Sequence, residues 1–210
     1  MKMNQECIDY VESEILPRYA SFDKAHQNDH VDRVIQESLR LAQYYEVNPD
    51  MVYVIAAYHD VGLVEGRERH HLVSGSLLQA DQKLRNWFSE EEIQLMKEAV
   101  EDHRASNKHE PRSIYGKIVS EADRVIDAET TFRRTVQYGL SHYPEMIPEE
   151  HYLRFRDHLI TKYGEGGYLK LWIPQSDNAE RLQEIRGILK NEVQLRNIFM
   201  KLFAAENAVK

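Results

Sequence analysis

The sequence is poor in cysteine and in long apolar runs, and each shortage excludes a class of protein. Cys7 is the single cysteine among 210 residues, so an intramolecular disulfide and a zinc site built from thiolates are both excluded. No stretch approaches the roughly 20 apolar residues that a membrane-spanning helix requires. The first part of the chain carries acids where a secretory signal has a basic start and an apolar centre. We therefore expect a cytoplasmic protein without a disulfide partner or a membrane partner.

Positive charge is also scarce. The 27 Lys and Arg residues stand against 35 Asp and Glu residues, which gives a formal net charge of −8. Nucleic acids and membrane surfaces are polyanions, and a protein that binds them in general needs a clustered basic face. Because no block of Lys and Arg occurs, general nucleic-acid binding is not expected. A small anionic substrate remains compatible with the sequence if a local cation offsets the net charge.

Apolar residues recur at the helical period along most of the chain, and no segment shows a convincing alternation of two. Between Asp29 and Tyr45, for example, Val31, Val34 and Leu41 fall on one stripe. The sequence lacks internal repeats and Pro/Ser-rich linkers. These patterns predict an all-α protein, folded as an irregular helical bundle.

Capping residues predict where several helices begin and end. Asn48 and Pro49 are typical of an N-cap and a first helical residue, and Gly62 is a candidate C-cap for the same helix. Ser89 and Glu92 form a predicted capping box. The stretch 162–172, "KYGEGGYLKLW", predicts a loop. The other predicted helices run from about Ser113 past Ile126, from Pro148 to near Gly164, and from Asp177 to beyond Leu202.

Histidines are concentrated in the first half of the chain, and several coincide with apolar stripes. His59 and Asp60 close the apolar run "AAYHDVG", and His103 continues a stripe through Met96 and Val100. Asp123 also lies on a stripe, where a lone carboxylate is costly to bury unless it is paired or binds a metal. In the absence of thiolates, imidazole and carboxylate are the expected ligands of a catalytic divalent ion. The pattern therefore predicts a metal site in the bundle core.

Three motifs in this order resemble the HD superfamily of metal-dependent phosphohydrolases. They are "HVDRV" at His30, "AAYHDVG" at His59 and Asp60, and "SEADRVID" at Asp123. The resemblance covers about residues 20–130 and implies an HD-domain-like helical bundle with a metal-binding core. Residues 131–210 carry no recognised motif and are expected to form a C-terminal helical extension. We expect the whole chain, 1–210, to fold as a single domain.

The resemblance implies that His30, His59, Asp60 and Asp123 are the ligands of one divalent ion, which could be Mn, Fe, Co, Ni or Mg. Such an ion makes a water nucleophilic near neutral pH and offsets charge on a phosphoryl group. Asp60 is accordingly expected to be catalytic.

In superfamily members with two ions, further histidines lie between the HD pair and the last aspartate. His71 and His103 are the candidates here, with Asp60 as the bridge and His103 as a second catalytic residue. Both histidines could instead bind substrate or cap helices. The pattern does not separate His70 from His71. His71 is preferred because Ser74 and the small or apolar residues after it form a plausible inner face.

Four cationic or imidazole side chains are candidates for substrate binding: His26, Arg104, Lys117 and Arg124. Arg104 and Arg124 directly follow predicted ligands, and a guanidinium can grip a phosphate with two nitrogens. Taken singly, Arg104, Lys117 and Arg124 are more often solvated or salt-bridged, and the residues between His26 and His30 look more like a helix cap. Three acidic residues, Asp29, Asp102 and Glu121, are candidate acceptors that orient the ligand imidazoles.

The favoured function is a phosphohydrolase that acts on a small phosphorylated substrate, for which a nucleotide is one candidate, by attack of a metal-activated water. Two alternatives stay open at this stage. One is a di-iron oxygenase on the same fold, since two irons at these positions can activate dioxygen in some HD proteins. The other is a non-catalytic module that senses a nucleotide. The sequence indicates neither the substrate nor the oligomeric state.

Overall fold

The computed structural model describes residues 3–21, 28–107, 109–124 and 126–208. Over these ranges the regular structure consists of α-helices and short 3₁₀ helices, without a strand, which confirms the predicted all-α class. Among the same residues, no helix combines the length and the apolar character needed to cross a membrane.

Ten α-helices are found in the described part of the chain. They are α1 (Gln5–Glu14), α2 (Asn28–Ala42), α3 (Pro49–Tyr58), α4 (His70–Ala80), α5 (Glu90–Asp102), α6 (Ile114–Asp123), α7 (Ala128–His142), α8 (Pro148–Tyr163), α9 (Asn178–Leu189) and α10 (Glu192–Asn207). Three 3₁₀ segments, Leu16–Ser21, Val61–Glu65 and Gln82–Asn86, join some of them.

The chain divides into two compact units. The first comprises Met1–Arg124 and Trp172–Ser176, and the second comprises Val125–Leu171 and Asp177–Lys210. In the first unit the returning segment 172–176 is fixed by Glu121, which accepts hydrogen bonds from the Trp172 amide at 2.7 Å and the Ser176 hydroxyl at 2.5 Å. The expectation of one domain over residues 1–210 stays a prediction.

Helix α3 is the centre of the first unit. Its residues from Met51 to Tyr58 are all buried, as expected for a helix that is apolar on every side. It packs against α1, α2, α5 and α6. Asn48 caps its start, since the side-chain oxygen accepts from the Asp50 amide at 3.0 Å, which confirms the predicted Asn-Pro beginning. The C-terminal end of α3 therefore delivers the next two residues, His59 and Asp60, to the interior.

The second unit has an aromatic core between α7, α8 and α10. Phe155 lies between Phe132 and Phe199, with ring centroids 5.8 Å and 5.3 Å away. Pro148 opens α8 and Gly164 is its C-cap, so this helix begins and ends where the sequence predicted. Because large rings bury much apolar area, this cluster supplies the hydrophobic stabilisation that the unit needs.

Three predicted helix limits are wrong. Gly62 does not cap α3, which ends at Tyr58; it lies within the 3₁₀ segment Val61–Glu65. Helix α6 ends at Asp123 and so does not reach Ile126. The long final helix is two helices, because Asn191 caps α10 through a hydrogen bond from the Gln194 amide, 3.1 Å. Asparagine favours caps over helix interiors because its side chain bonds nearby backbone.

Candidate metal centre

The four residues carried by the three sequence motifs converge in the first unit. His30 lies in the first turns of α2, His59 and Asp60 follow α3, and Asp123 is the last residue of α6. His30 Nε2 is 3.2 Å from Asp123 Oδ1 and 3.2 Å from His59 Nε2. His59 Nε2 is 3.3 Å from Asp60 Oδ2. Four side chains from three separate segments thus face one point, which we call the first group.

A second group shares Asp60 with the first. His70 Nε2 and His103 Nε2 lie 3.2 Å and 3.4 Å from Asp60 Oδ1, and 3.1 Å from each other. His70 opens α4, and His103 caps the end of α5. Asp60 therefore presents Oδ2 to the first group and Oδ1 to the second. Within each of the triads His30–His59–Asp60 and Asp60–His70–His103, the ligand atoms lie within 4.8 Å of one another, close enough to hold an ion.

Backbone carbonyls fix the orientation of three of the imidazoles. The Nδ1 atoms of His59, His70 and His103 lie 2.7 Å, 2.8 Å and 2.6 Å from the carbonyl oxygens of residues 56, 67 and 100. A carbonyl oxygen can only accept, so each Nδ1 carries the proton and each Nε2 keeps its lone pair in the neutral ring. In every case the acceptor is three residues before the histidine.

The predicted carboxylate acceptors have other roles. Asp102 receives the Arg112 amide at 2.7 Å and pairs with its guanidinium. Glu121 holds the segment 172–176 as described above, and Asp29 is exposed. For His59, His70 and His103 the expectation is therefore wrong, because main-chain oxygens orient these rings instead.

The two Nε2 atoms that face each other in the second group indicate that a cation belongs between them. His70 and His103 both carry their proton on Nδ1, so their Nε2 lone pairs face each other across 3.1 Å. Two such acceptors repel unless a proton or a metal ion lies between them. Imidazole nitrogen and carboxylate oxygen together suit a borderline divalent ion. The donor set in the described residues therefore fits the metal that the sequence motifs imply.

His70 takes the position that the sequence analysis assigned to His71, and this corrects the assignment. Ser74 and Leu78, which suggested the inner face, are indeed buried. His70 precedes them by four and eight residues, so it belongs to that face as well. The bond from His70 Nδ1 to the Arg67 carbonyl then turns the ring toward Asp60. Burial, with help from the nearby His103, His70 and Arg104, lowers the pKa of His71 to about 4.

Both carboxylates of the centre are held in the ionised form. Burial alone would raise the pKa of Asp60, but the surrounding imidazoles outweigh burial and lower the pKa well below its usual value. The pKa of Asp123 is lowered in the same way, chiefly by the hydrogen bond to His30. Burial would lower the pKa of His30, yet the hydrogen bonds to Asp123 and Asp60 raise it to about 9. A cluster with this affinity for positive charge suits a cation.

Tyr19 supports the HD pair and was missed in the sequence. Its hydroxyl donates to the Ala57 carbonyl at 2.9 Å and accepts from the Asp60 amide at 3.2 Å. Burial, together with the charges of Asp60 and Asp123, raises the pKa of Tyr19 well above its usual value, so the donor proton is retained. A tyrosine in a short 3₁₀ segment carries no sequence signal for this role, because its partner lies 41 residues further along the chain.

We expect Tyr19→Phe to destabilise the protein and to weaken metal binding. The change leaves the Ala57 carbonyl and the Asp60 amide without a buried partner, which costs about 1–3 kcal/mol of unfolding free energy. The loss of a group that positions a ligand typically lowers metal affinity by roughly 10–100-fold. Urea denaturation and metal titration measure the two effects. Tyr53→Phe is the control, since this tyrosine is also buried and its hydroxyl makes no hydrogen bond within the described residues; equal losses in both variants would contradict the role of Tyr19.

Gly62 allows the two groups to approach each other. Its amide donates to the Ser74 hydroxyl at 2.8 Å, and a Cβ at this position would overlap the His70 carbonyl oxygen and the Ser74 amide. The absence of a side chain therefore lets the first turn of α4 pack directly on the segment that follows Asp60.

The predicted phosphate-binding residues differ in the contacts that their charged groups already make. Lys117 Nζ lies 2.5 Å from Glu110 Oε1. Arg104, beside His103, donates from Nη1 to the Glu68 carbonyl. Because one guanidinium carries five donors, this one bond within the described residues leaves Arg104 able to contact a ligand. The phosphate-binding role of each stays a prediction.

Arg124 is buried, and its Nη1 bonds the carbonyl and the hydroxyl of Ser120, the latter at 2.6 Å. Burial lowers its pKa, and its Nε has no hydrogen-bond partner among the described residues. Its contact with phosphate remains a prediction. The remaining candidate, His26, lies outside the described residues.

The fold and the two groups together define a class: an all-α protein whose histidine and aspartate side chains form a cluster that could hold metal ions. A family model described as "HD domain" matches residues 28–127. This range begins with α2 and includes every residue of both groups, so residues 28–127 are similar to the HD domain family. Comparison with curated proteins and with solved structures gave no match.

Proposed function

We propose that this protein is a metal-dependent phosphohydrolase that acts on a small phosphorylated substrate such as a nucleotide. The observation that carries the proposal is the position of Asp60, whose two oxygens each face a separate set of imidazole nitrogens. A carboxylate shared in this way is suited to two neighbouring ions. His30, His59, Asp60 and Asp123 would hold the first, and Asp60, His70 and His103 the second.

Divalent ions held by these residues would supply Lewis acidity, which would make a water nucleophilic near neutral pH and offset charge on the phosphoryl oxygens. The protein supplies fixed geometry. Three imidazoles are held by carbonyls of their own segments, so they need little reorganisation during the reaction. The low pKa values of Asp60 and Asp123 keep both carboxylates ionised.

The charge of the centre also favours an anionic substrate. Two ionised carboxylates and neutral imidazoles balance only part of the charge of two divalent ions, which leaves a local excess of positive charge. This excess offsets the formal net charge of −8 at short range. Arg104 adjoins His103 and retains free donors, so we propose it as the first contact for a phosphoryl oxygen.

The test combines elemental analysis of the purified protein with a screen of phosphate esters and nucleotides in manganese, magnesium, cobalt and iron. We expect about two ions per chain, as a shared-carboxylate site implies, and release of inorganic phosphate in at least one metal. Asp60→Ala is the negative control. Oxygen consumption by the iron form without phosphate release would identify an oxygenase instead. Nucleotide binding without turnover in every metal would identify a sensing module.

A further inference from the structure

A cavity of about 420 Å³ lies beside the second group, lined by residues of α4, of α5 and of the segment that follows α5. Its volume falls within the roughly 300–1,000 Å³ of typical small-molecule sites. His71 and Leu72 form one wall, and Glu101 and Asn107 form another. Apolar surface from Leu72, which is 38% exposed, therefore adjoins several hydrogen-bonding groups.

Chain connectivity places this cavity close to the second group. His71 follows His70, and the two rings have centroids 5.6 Å apart. Glu101 precedes His103 by two residues on the last turn of α5. A molecule held in the cavity is therefore within reach of a phosphoryl group at the cluster.

The acidic and basic side chains that line the cavity are already paired with one another or with neighbours. Arg112 Nη2 lies 2.9 Å from both Glu101 Oε2 and Asp102 Oδ1. Glu110 pairs with Lys117. Among the described lining residues, no carboxylate or guanidinium is left without an ionic partner. A second phosphate or a cationic amine would have to displace one of these pairs, whereas an uncharged group would not.

His71 supplies an unused polar atom. Its Nδ1 is buried and has no hydrogen-bond partner among the described residues, which is rare because an unmet buried polar atom costs about 1–3 kcal/mol. Because the His71 side chain lines the cavity, a turn of the ring would bring Nδ1 to a ligand held there, and the new hydrogen bond would remove this cost. The cavity thus combines apolar surface, compensated charge and a histidine ring with one unsatisfied nitrogen.

We propose that this cavity binds the leaving alcohol of a phosphate monoester, an uncharged hydrogen-bonding molecule of nucleoside size, and that His71 contacts it and determines specificity. The inference rests on the proposed phosphohydrolase function. In the reaction, the oxygen of water bonds to phosphorus and the bond from phosphorus to the alcohol oxygen breaks. The alcohol oxygen takes up one proton released by the water, so the products are the alcohol and inorganic phosphate.

The first test compares substrates that fill the cavity with one that does not. Rates are measured for the four ribonucleoside 5′-monophosphates and for methyl phosphate, with wild type, His71→Leu and His71→Asn. We expect His71→Leu to lower kcat/KM for the best nucleotide roughly tenfold, the equivalent of one hydrogen bond, and to leave methyl phosphate unchanged. His71→Asn keeps a polar atom at the same distance from the backbone as Nδ1 and should restore most of the loss. His158→Leu, an exposed histidine of the second unit, is the control.

A second test does not depend on turnover. The four ribonucleosides are titrated into metal-free protein, and the ring signals of ¹⁵N-labelled histidines are followed by NMR. The His71 signal should shift with at least one nucleoside, and His71→Leu should weaken that binding. In the rate measurements of the first test, the metal content of wild type and variants must be the same.

The outcomes separate the two proposals. If wild type releases phosphate but His71→Leu slows nucleotide and methyl phosphate equally, or no nucleoside binds, the cavity proposal is overturned. If wild type hydrolyses no phosphate ester in any metal, the proposed function fails. Nucleoside binding that depends on His71 would then still support the cavity as a binding site for an uncharged alcohol.

Discussion

Replacing Asp60 with alanine is expected to remove both metal ions and all measurable turnover. The variant deletes the side chain that belongs to both groups, since Oδ2 faces His59 at 3.3 Å and Oδ1 faces His70 at 3.2 Å. We expect the metal content to fall from about two ions per chain toward zero, because the two-ion arrangement depends on the shared carboxylate. The loss of kcat/KM should exceed the roughly 100-fold that removal of an outer-shell partner can cost.

Metal content is measured by elemental analysis after purification in excess manganese, and helix content by far-UV circular dichroism. Asp32→Ala is a matched control, since this aspartate lies on α2 near His30 but is exposed. Asp60→Asn separates shape from charge: it keeps the side-chain outline while removing the negative charge. Full metal content in Asp60→Ala, with helicity intact, would refute the assignment of both groups.

The second large effect concerns His70 and His103, whose Nε2 atoms lie near Asp60 Oδ1. His70→Ala and His103→Ala should each lower the metal content from about two ions to about one, because the first group keeps its own donors. Turnover should fall by on the order of 10²–10³-fold, the usual loss when one preorganised electrostatic group is removed. Loss of turnover with metal content unchanged would instead make these residues substrate contacts.

His71→Ala is the matched control for this pair. It neighbours His70 in sequence but contributes no atom to the cluster of the described residues, so its metal content should equal that of wild type. A drop to one ion in His71→Ala, with His70→Ala unaffected, would restore the assignment made from the sequence. A wild-type ratio that never exceeds one would refute the second ion altogether.

The sequence predicted the helical class and several helix limits because the signals for these are local. The Asn48–Pro49 beginning, the Ser89–Glu92 capping box and the end of α8 before Gly164 depend on residues within one or two turns. Where a predicted helix limit was wrong, a tertiary contact or a capping contact determines where the helix ends. Asn191 interrupts a pattern that otherwise continues at the helical period, and its capping bond is visible only in the structure.

Part of the candidate site was also predicted, because the signals for those residues are local. The structure brings together the four motif residues, whose apolar stripes turn them inward, and it adds His103 as expected from its stripe. Their role as metal ligands stays a prediction that the variants above test. The choice between His70 and His71 depended on the direction in which α4 leaves the segment after Asp60. Likewise, the helical period of the apolar residues does not predict the contact of His70 with the carbonyl at residue 67 or the contact of Asp60 with the Tyr19 hydroxyl.

The contact at Gly62 determines which amino-acid substitutions the spacing of this centre tolerates. The separation between the segment after Asp60 and the start of α4 is set by main-chain atoms and by Ser74, since a Cβ at Gly62 would overlap them. Core substitutions elsewhere alter side-chain volume but leave this backbone contact in place. The spacing of the two groups of side chains is thus insulated from much of the sequence drift that cores accept. Gly62 itself is the exception, and even alanine there would push the two groups apart.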